Sequence, residues 1–151
     1  MKKSLFRYST QIRVRNYEVD WQGIVHNANY LLYFEVARIE YLKRLGVKVS
    51  MDSIQGESRV VLVRNELNYR ASAKFDNLLT IYTRVSYIND TSFAFEGLME
   101  EAVAGTPIAD NVAVHVWLDG ASGAPIRVND EFRAKVRTFE GESVTIRDPA
   151  P

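Results

Sequence analysis

The chain contains no cysteine among its 151 residues. Disulfides, thiolate nucleophiles and cysteine-bound metals are therefore excluded. Histidine is also scarce, and His26 and His115 alone are too few for a histidine-rich metal site. The 19 basic and 19 acidic residues cancel, so no net charge attracts nucleic acid or a membrane surface. These absences argue against thiol, metal and polyanion-binding chemistry.

Long hydrophobic runs are missing as well. The opening MKKSLFRYST has two lysines but no apolar stretch behind them, as a signal peptide requires. We therefore expect a cytoplasmic protein without a membrane span. The length and the lack of repeats or linkers predict one domain over residues 1–151. The polar, proline-ending segment from about 138 to 151 is predicted to be loosely held.

The stretch from Val19 to Gly46 contains the most informative pattern. Its second half predicts a helix from Ala28 to Leu45 with apolar residues on nearly all sides, so we expect it to be buried on most sides. Asn27, or alternatively Asn29, is the expected N-cap. Lys43 and Arg44 suit the last turn, and Gly46 suits the left-handed exit.

The remainder of the chain is predicted to be mostly strand. Alternation or β-branched residues indicate strands at about 6–17, with Ile12 and Val14 inward, and at 59–69, 77–88, 92–102 and 108–118. Ser50, Asp52, Ser53 and Gly56 mark a connection in which Met51 and Ile54 form a short turn, and Asp130–Val136 is a short helix. Alternating strands next to one apolar helix predict an α+β domain with a five-stranded antiparallel sheet wrapped around it.

A carboxylate, Asp20, lies one short loop before the predicted helix. Free N–H groups at a helix N-terminus can stabilise a developing oxyanion, and a nearby carboxylate can act as a base or a nucleophile. A second interpretation also fits the local sequence, in which Asp20 is a turn residue and Asn27 only a cap. The residues alone leave both interpretations open.

Longer motifs resemble a known family. The pattern D-x-x-G-[IV]-V-x-x-x-x-Y, formed by Asp20, Gly23, Ile24, Val25 and Tyr30, is followed by YFEVAR, and ELNYRASAKFDNLLTIYTRV comes later. Together these segments resemble hotdog-fold acyl-CoA thioesterases of the 4-hydroxybenzoyl-CoA thioesterase type, over roughly Ile12 to Val136. Two differences stand out: Gln22 replaces a glycine, and His26-Asn27 replaces a Tyr-His pair.

The resemblance implies a set of roles. Asp20 would be the catalytic carboxylate, the Asn27 backbone N–H would point at the thioester carbonyl, and Gly23 would let the loop pack tightly. Ile24, Val25 and Tyr30 would line the substrate site. The family uses no metal and no bound cofactor. It forms dimers or tetramers with active sites at subunit interfaces. We therefore expect a homo-oligomer, a dimer or a tetramer, and predict a homotetramer.

Other ionisable residues have competing interpretations. His26 either contacts the thioester or Asp20, or is simply exposed before the helix. Glu35 is a second candidate carboxylate, since another hotdog lineage carries one on the helix, but an i, i+3 pair with Arg38 is favoured. We interpret His115, in an apolar strand, as a satisfied core or interface residue.

The expected function is hydrolysis of acyl-CoA or acyl-carrier-protein thioesters, with Asp20 as general base or nucleophile. The alternatives are a non-catalytic acyl-binding or dimerisation module, and a dehydratase, for which no His–carboxylate pair is evident around Asp20. The turn Asn89-Asp90-Thr91 offers no cation for CoA phosphates. Arg59, Arg64, Arg70 and Lys74 remain as candidates, with Arg70 and Lys74 the chosen pair.

Overall fold

The computed structural model describes residues 1–49 and 56–147. In these residues a mixed sheet packs against a long helix, α1 (Asn27–Arg44), and a shorter helix, α2 (Asp130–Glu140), follows the main strands. The strands are β1 (Ser9–Arg13), β2 (Ser58–Tyr69), β3 (Leu78–Ile88), β4 (Ser92–Glu101), β5 (Pro107–Asp119) and β6 (Thr145–Ile146). The predicted connection through Ser50, Met51, Asp52, Ser53 and Ile54 lies outside the described residues.

The sheet order is β1-β3-β4-β5-β2, and all of these neighbours are antiparallel. The short strand β6 pairs with β3 in parallel. The predicted α+β arrangement, one strand and one helix followed by four antiparallel strands, is confirmed. Among the described helices, none is both long and apolar enough to cross a membrane.

The core forms two clusters along α1. One surrounds Tyr33 and Phe34, and the other surrounds Tyr41. Phe34 packs so closely on β4 that a Cβ at Gly97 would lie 2.7 Å from its ring. Gly97 is therefore the residue that lets the sheet curve over the helix. At the far end, Gly46 ends α1 in the predicted left-handed conformation, with φ of 71°.

The prediction that α1 is buried on most sides is wrong for the single chain. Leu31, Leu32 and Val36 are 37%, 55% and 45% exposed. The neighbouring edge strand β2 also exposes a run of four apolar residues, Val60 to Val63. Sequence periodicity reports that a residue is apolar but not whether its own chain or another molecule covers it.

Other boundaries also differ from the predicted ones. The first strand spans only Ser9–Arg13, because the chain turns through a 3-10 segment at Asn16–Glu18. The inward positions of Val14, which is buried, and Ile12, which packs on the core, are confirmed.

The two faces of β5 carry different residues. The side that faces α1 carries Ala113 and Trp117, so the valines at 112, 114 and 116 lie on the opposite face.

The segment after residue 137 is not loosely held as far as it is described. Helix α2 continues to Glu140, which is fully buried and accepts a hydrogen bond of 2.6 Å from the Tyr41 hydroxyl. Phe139 packs edge-on against the Tyr41 ring, and Thr145–Ile146 pair with β3. These tertiary contacts hold a segment whose composition is polar.

Candidate active site

The loop before α1 is a tight turn that places Asp20 beside the helix N-terminus. The Asp20 N–H donates to the Ile24 carbonyl oxygen at 2.8 Å, and Val19 bridges to Val25. The Asp20 Oδ1 accepts from the Gln22 backbone N–H at 2.8 Å. This bond fixes the carboxylate and leaves its second oxygen, Oδ2, without a hydrogen bond to any described residue.

Gly23 has a different role from the expected one. A Cβ added there would meet nothing within 4 Å, so tight packing does not require glycine. Its φ is 76°, in the left-handed region that only glycine adopts without a steric cost. Backbone conformation, rather than space, therefore accounts for glycine at this position.

His26, and not Asn27 or Asn29, is the N-cap of α1. Its Nδ1 accepts a hydrogen bond of 3.2 Å from the Ala28 N–H, and its carbonyl oxygen accepts from the Asn29 N–H at 2.9 Å. Asn27 is already the first helical residue. Its N–H has no acceptor among the described residues, which leaves it as a free donor at the positive end of the helix.

Glu18 connects the loop to the start of α1 through hydrogen bonds. Its carbonyl oxygen accepts from the His26 N–H at 2.9 Å and from Asn29 Nδ2 at 2.7 Å. Its buried carboxylate accepts from the Tyr33 hydroxyl at 2.8 Å and pairs with Arg15. Burial alone would raise the pKa of Glu18, but the hydrogen bonds from Arg15 and Tyr33 outweigh it and lower the pKa below its usual range. Glu18 thus stays ionised and holds the loop and the helix together.

We did not identify Glu18 from the sequence. The three-residue spacing between Arg15 and Glu18 is compatible with their ion pair, but the same spacing occurs in many solvated pairs. Tyr69 was also missed as a site residue, although it lies in the ELNYR segment. Its hydroxyl donates to the Asn27 carbonyl oxygen at 3.1 Å.

A cavity of about 510 Å³ opens over this segment. It is lined by seven predicted site residues and four others: Asp20, Ile24, Val25, His26, Asn27, Tyr30 and Arg70, together with Gln22, Tyr69, Ala71 and Ser72. Burial, with Tyr69 and Asp20 contributing, raises the pKa of Tyr30, which therefore remains a neutral phenol. The structure brings the carboxylate, the free N–H and an aromatic wall into one concave site.

The two predicted phosphate ligands differ. Arg70 lines the cavity, but its Nε donates to Asp110 Oδ2 at 2.7 Å, so its charge is largely neutralised. Lys74 does not line the cavity. Its side chain is exposed, and its backbone forms an isolated β-bridge with Ile24. The turn at Asn89-Asp90-Thr91 carries no cation of its own, but Arg127 pairs with Asp90 at 3.2 Å and Arg133 donates to the Asn89 carbonyl at 2.7 Å. Both arginines are engaged by protein acceptors, so their presence does not make this turn a strong phosphate site.

Comparison with known proteins places this chain in a family. The model of the thioesterase-like superfamily matches residues 14–136, which is most of the chain, and the chain belongs to that superfamily. The fold is a hotdog fold, as the resemblance implied.

Particular relatives support this assignment. The chain is 30% identical to the long-chain acyl-CoA thioesterase FadM of Escherichia coli, over 84% of this chain and 95% of that protein. It is 24% identical to the chloroplastic acyl-acyl carrier protein thioesterase ATL3 of Arabidopsis thaliana, over 87% of this chain and 68% of that protein. A solved Thermus thermophilus thioesterase complexed with coenzyme A and zinc is 27% identical, covers 91% of this chain and 96% of its own, and superposes with a TM-score of 0.77.

Proposed function

We propose that this protein hydrolyses acyl thioesters, with Asp20 as general base or nucleophile and the Asn27 N–H as an oxyanion donor. The observation that carries the proposal is that a fixed carboxylate and an unpaired helix N-terminal N–H line the same cavity. Relatives named as acyl-CoA and acyl-carrier-protein thioesterases support the same substrate class.

Thioester hydrolysis requires few catalytic groups, because a thioester is already activated toward attack at its carbonyl carbon. Asp20 Oδ2 either accepts a proton from water as the water attacks the carbonyl carbon, or attacks that carbon itself to form an anhydride that water then opens. In both routes negative charge develops on the carbonyl oxygen, where the Asn27 N–H and the helix dipole stabilise it. The thiolate leaves and takes up a proton from solvent.

His26 contributes indirectly in this proposal. Because its Nδ1 accepts from the Ala28 N–H, that nitrogen carries no proton while the cap is formed. The cap occupies the second helical N–H and leaves the first, that of Asn27, for the substrate. We therefore propose that His26 positions the oxyanion donor.

The test is a hydrolysis screen over short, long and aryl acyl-CoAs, in which the released thiol is measured for the wild type and Asp20→Asn. Asparagine retains the Oδ1 that accepts from Gln22, so the turn should persist and the melting temperature should barely change. We expect turnover to fall by on the order of a hundredfold or more, because the base is lost. Asp76→Asn, which changes an exposed aspartate outside the cavity, is the matched control.

Full activity in Asp20→Asn would show that the carboxylate is assigned wrongly, and Glu35→Gln would then be tested. Glu35 is exposed and forms no ion pair within 4.0 Å among the described residues, so its favoured i, i+3 partner Arg38 feels its charge without direct contact. If no acyl-CoA is hydrolysed by the wild type, the result favours a non-catalytic acyl-binding module. Incorporation of oxygen-18 into Asp20 during a single turnover separates the nucleophilic route from the general-base route.

A further inference from the structure

A second cavity, of about 500 Å³, lies between α1 and the part of the sheet formed by β2, β5 and β4. It shares no lining residue with the cavity around Asp20. Its wall is largely aromatic and aliphatic, with Leu42, Phe93, Phe95, Trp117 and Phe132. This volume lies within the range of roughly 300–1,000 Å³ that is usual for small-molecule sites.

One cation lines this apolar cavity. Arg38 is only 8% exposed, and its single hydrogen bond goes to Asn111 Oδ1 at 3.3 Å. No carboxylate among the described residues lies within 4.0 Å of it, whereas the buried Arg84 contacts Glu96 at 2.9 Å. A buried charge without a counter-ion is costly, and an anionic ligand would remove that cost.

His115 adds a second unsatisfied group to the same cavity. Its Nδ1 is buried and has no hydrogen-bond partner among the described residues, so His115 is not satisfied within the single chain, and its role as an interface residue stays a prediction. The ring stacks on Phe93, with 5.5 Å between centroids, and cannot turn freely toward solvent. Asn111 is already held by Asn65 Oδ1 and the Glu66 carbonyl. Arg38 is therefore the polar group that a ligand could contact, because the buried His115 Nδ1 is inaccessible even to water.

We propose that this cavity binds an apolar molecule that carries one carboxylate, which pairs with Arg38 while the aromatic wall covers the apolar part. Among the described residues, the carboxylate that lines the cavity is that of Glu35, which is exposed and lies one helical turn before Arg38. Its negative charge disfavours a ligand with more than one anionic group. The carboxylate has two possible sources: a free carboxylic acid, or the far end of a dicarboxylic acyl group.

The binding test uses the fluorescence of Trp117, which lines the cavity, in a Trp21→Phe background that removes the other tryptophan. Octanoate and 1-octanol, which differ only in the head group, are titrated into this protein. We expect octanoate to bind at least tenfold more tightly than octanol. Arg38→Met should remove that preference and leave octanol binding unchanged, while Arg38→Lys should retain part of it. Arg44→Met, on the same helix but outside this cavity, is the matched control.

Equal binding of the two ligands, or octanoate binding that Arg38→Met does not change, would overturn the proposal. Light scattering on Arg38→Met supplies a further check. If that substitution changes the oligomeric mass and not octanoate affinity, a carboxylate from another copy is the counter-ion and the proposal is wrong.

Hydrolysis kinetics distinguish the two sources of the carboxylate. Octanoyl-CoA is compared with the mono-CoA thioester of octanedioic acid, for the wild type and Arg38→Met. If Arg38→Met lowers kcat/KM only for the dicarboxylic substrate, the cavity binds the far carboxylate of the acyl group. If Arg38→Met leaves the kinetics of both substrates unchanged but loses octanoate binding, the cavity binds a free carboxylic acid. The fluorescence experiment requires no activity, so its outcome is independent of the proposed hydrolysis.

Discussion

The hydroxyl of Tyr69, the last residue of β2, donates a hydrogen bond of 3.1 Å to the carbonyl oxygen of Asn27, the first residue of α1. The Tyr69 ring also meets the Tyr30 ring edge-on, with 5.3 Å between centroids. The edge strand of the sheet thus holds the peptide group that begins the helix, next to the N–H proposed to bind the oxyanion.

We predict that Tyr69→Phe lowers kcat markedly but lowers the free energy of unfolding only slightly. Phenylalanine keeps the ring contact with Tyr30 but loses the hydrogen bond to Asn27, which contributes about 1 kcal/mol or less at a partly exposed site. We expect kcat to fall by roughly tenfold as the oxyanion donor loses its fixed position. Kinetics and thermal melts on Tyr69→Phe and on the exposed control Tyr17→Phe test this, and equal kcat values for both would contradict it.

The exposed apolar run on β2 predicts assembly into at least a dimer. Among the described strands β2 pairs only with β5, so its other edge and the exposed face of α1 remain uncovered. Unpaired apolar edges tend to pair, and we expect two sheets to join through β2 or two helices to face each other.

Val63→Lys should therefore lower the mass measured by light scattering at micromolar protein, because a charge is placed on a side chain that is 57% exposed in the single chain. Val103→Lys, at a position 90% exposed in the turn after β4, should leave the mass unchanged. A wild-type monomer would contradict both the dimer and a site shared between subunits. The same measurement separates a dimer from the predicted tetramer.

The weak set of cations at the site predicts modest affinity for CoA. Arg70 is paired with Asp110, and Lys74 is exposed outside the cavity, so we expect a KM in the upper part of the usual range of roughly 1 μM to 1 mM. One acyl group is compared on CoA, on acyl carrier protein and on N-acetylcysteamine. A strong preference for CoA that survives both Arg70→Ala and Lys74→Ala would show that neither residue binds the phosphates.

His115 predicts a pH dependence of stability. Burial, followed by the nearby charge of Arg38, lowers the pKa of His115 to about 4. Between that pH and the unfolded value of about 6.5, the unfolded chain binds a proton that the folded protein does not, so stability falls as the pH falls through this window. The change in the free energy of unfolding from this titration is below about 3 kcal/mol, because part of the His115 ring is exposed.

His115→Phe cannot take up this proton and keeps the stacking on Phe93. Its free energy of unfolding, relative to the wild type, should therefore increase as the pH is lowered from 6.5 to 4. Urea unfolding at several pH values measures this difference. Parallel curves for the two proteins would mean that His115 does not titrate in this window.

The sequence by itself determined the class of fold and predicted which residues lie near the start of the long helix. Period-two alternation specifies strands, and an apolar helix needs a sheet to cover it, so α+β with five antiparallel strands follows from local patterns. Asp20, His26 and Asn27 are close in sequence, and a short turn can bring them together only at the helix N-terminus. The local pattern therefore predicted their position, whereas only the resemblance to a family implied their roles.

Tertiary structure decided what depends on distant residues. His26 caps α1, instead of Asn27, because the bond from the His26 N–H to the Glu18 carbonyl sets where the helix begins. Tyr69 reaches Asn27 from 42 residues away, and no periodicity encodes that contact. Among the described residues, Arg38 contacts Asn111 of β5 and no carboxylate, although its helical neighbour Glu35 lies one turn away. Charge, burial and partner identity are properties of the packed molecule, whereas helix and strand are properties of the nearby sequence.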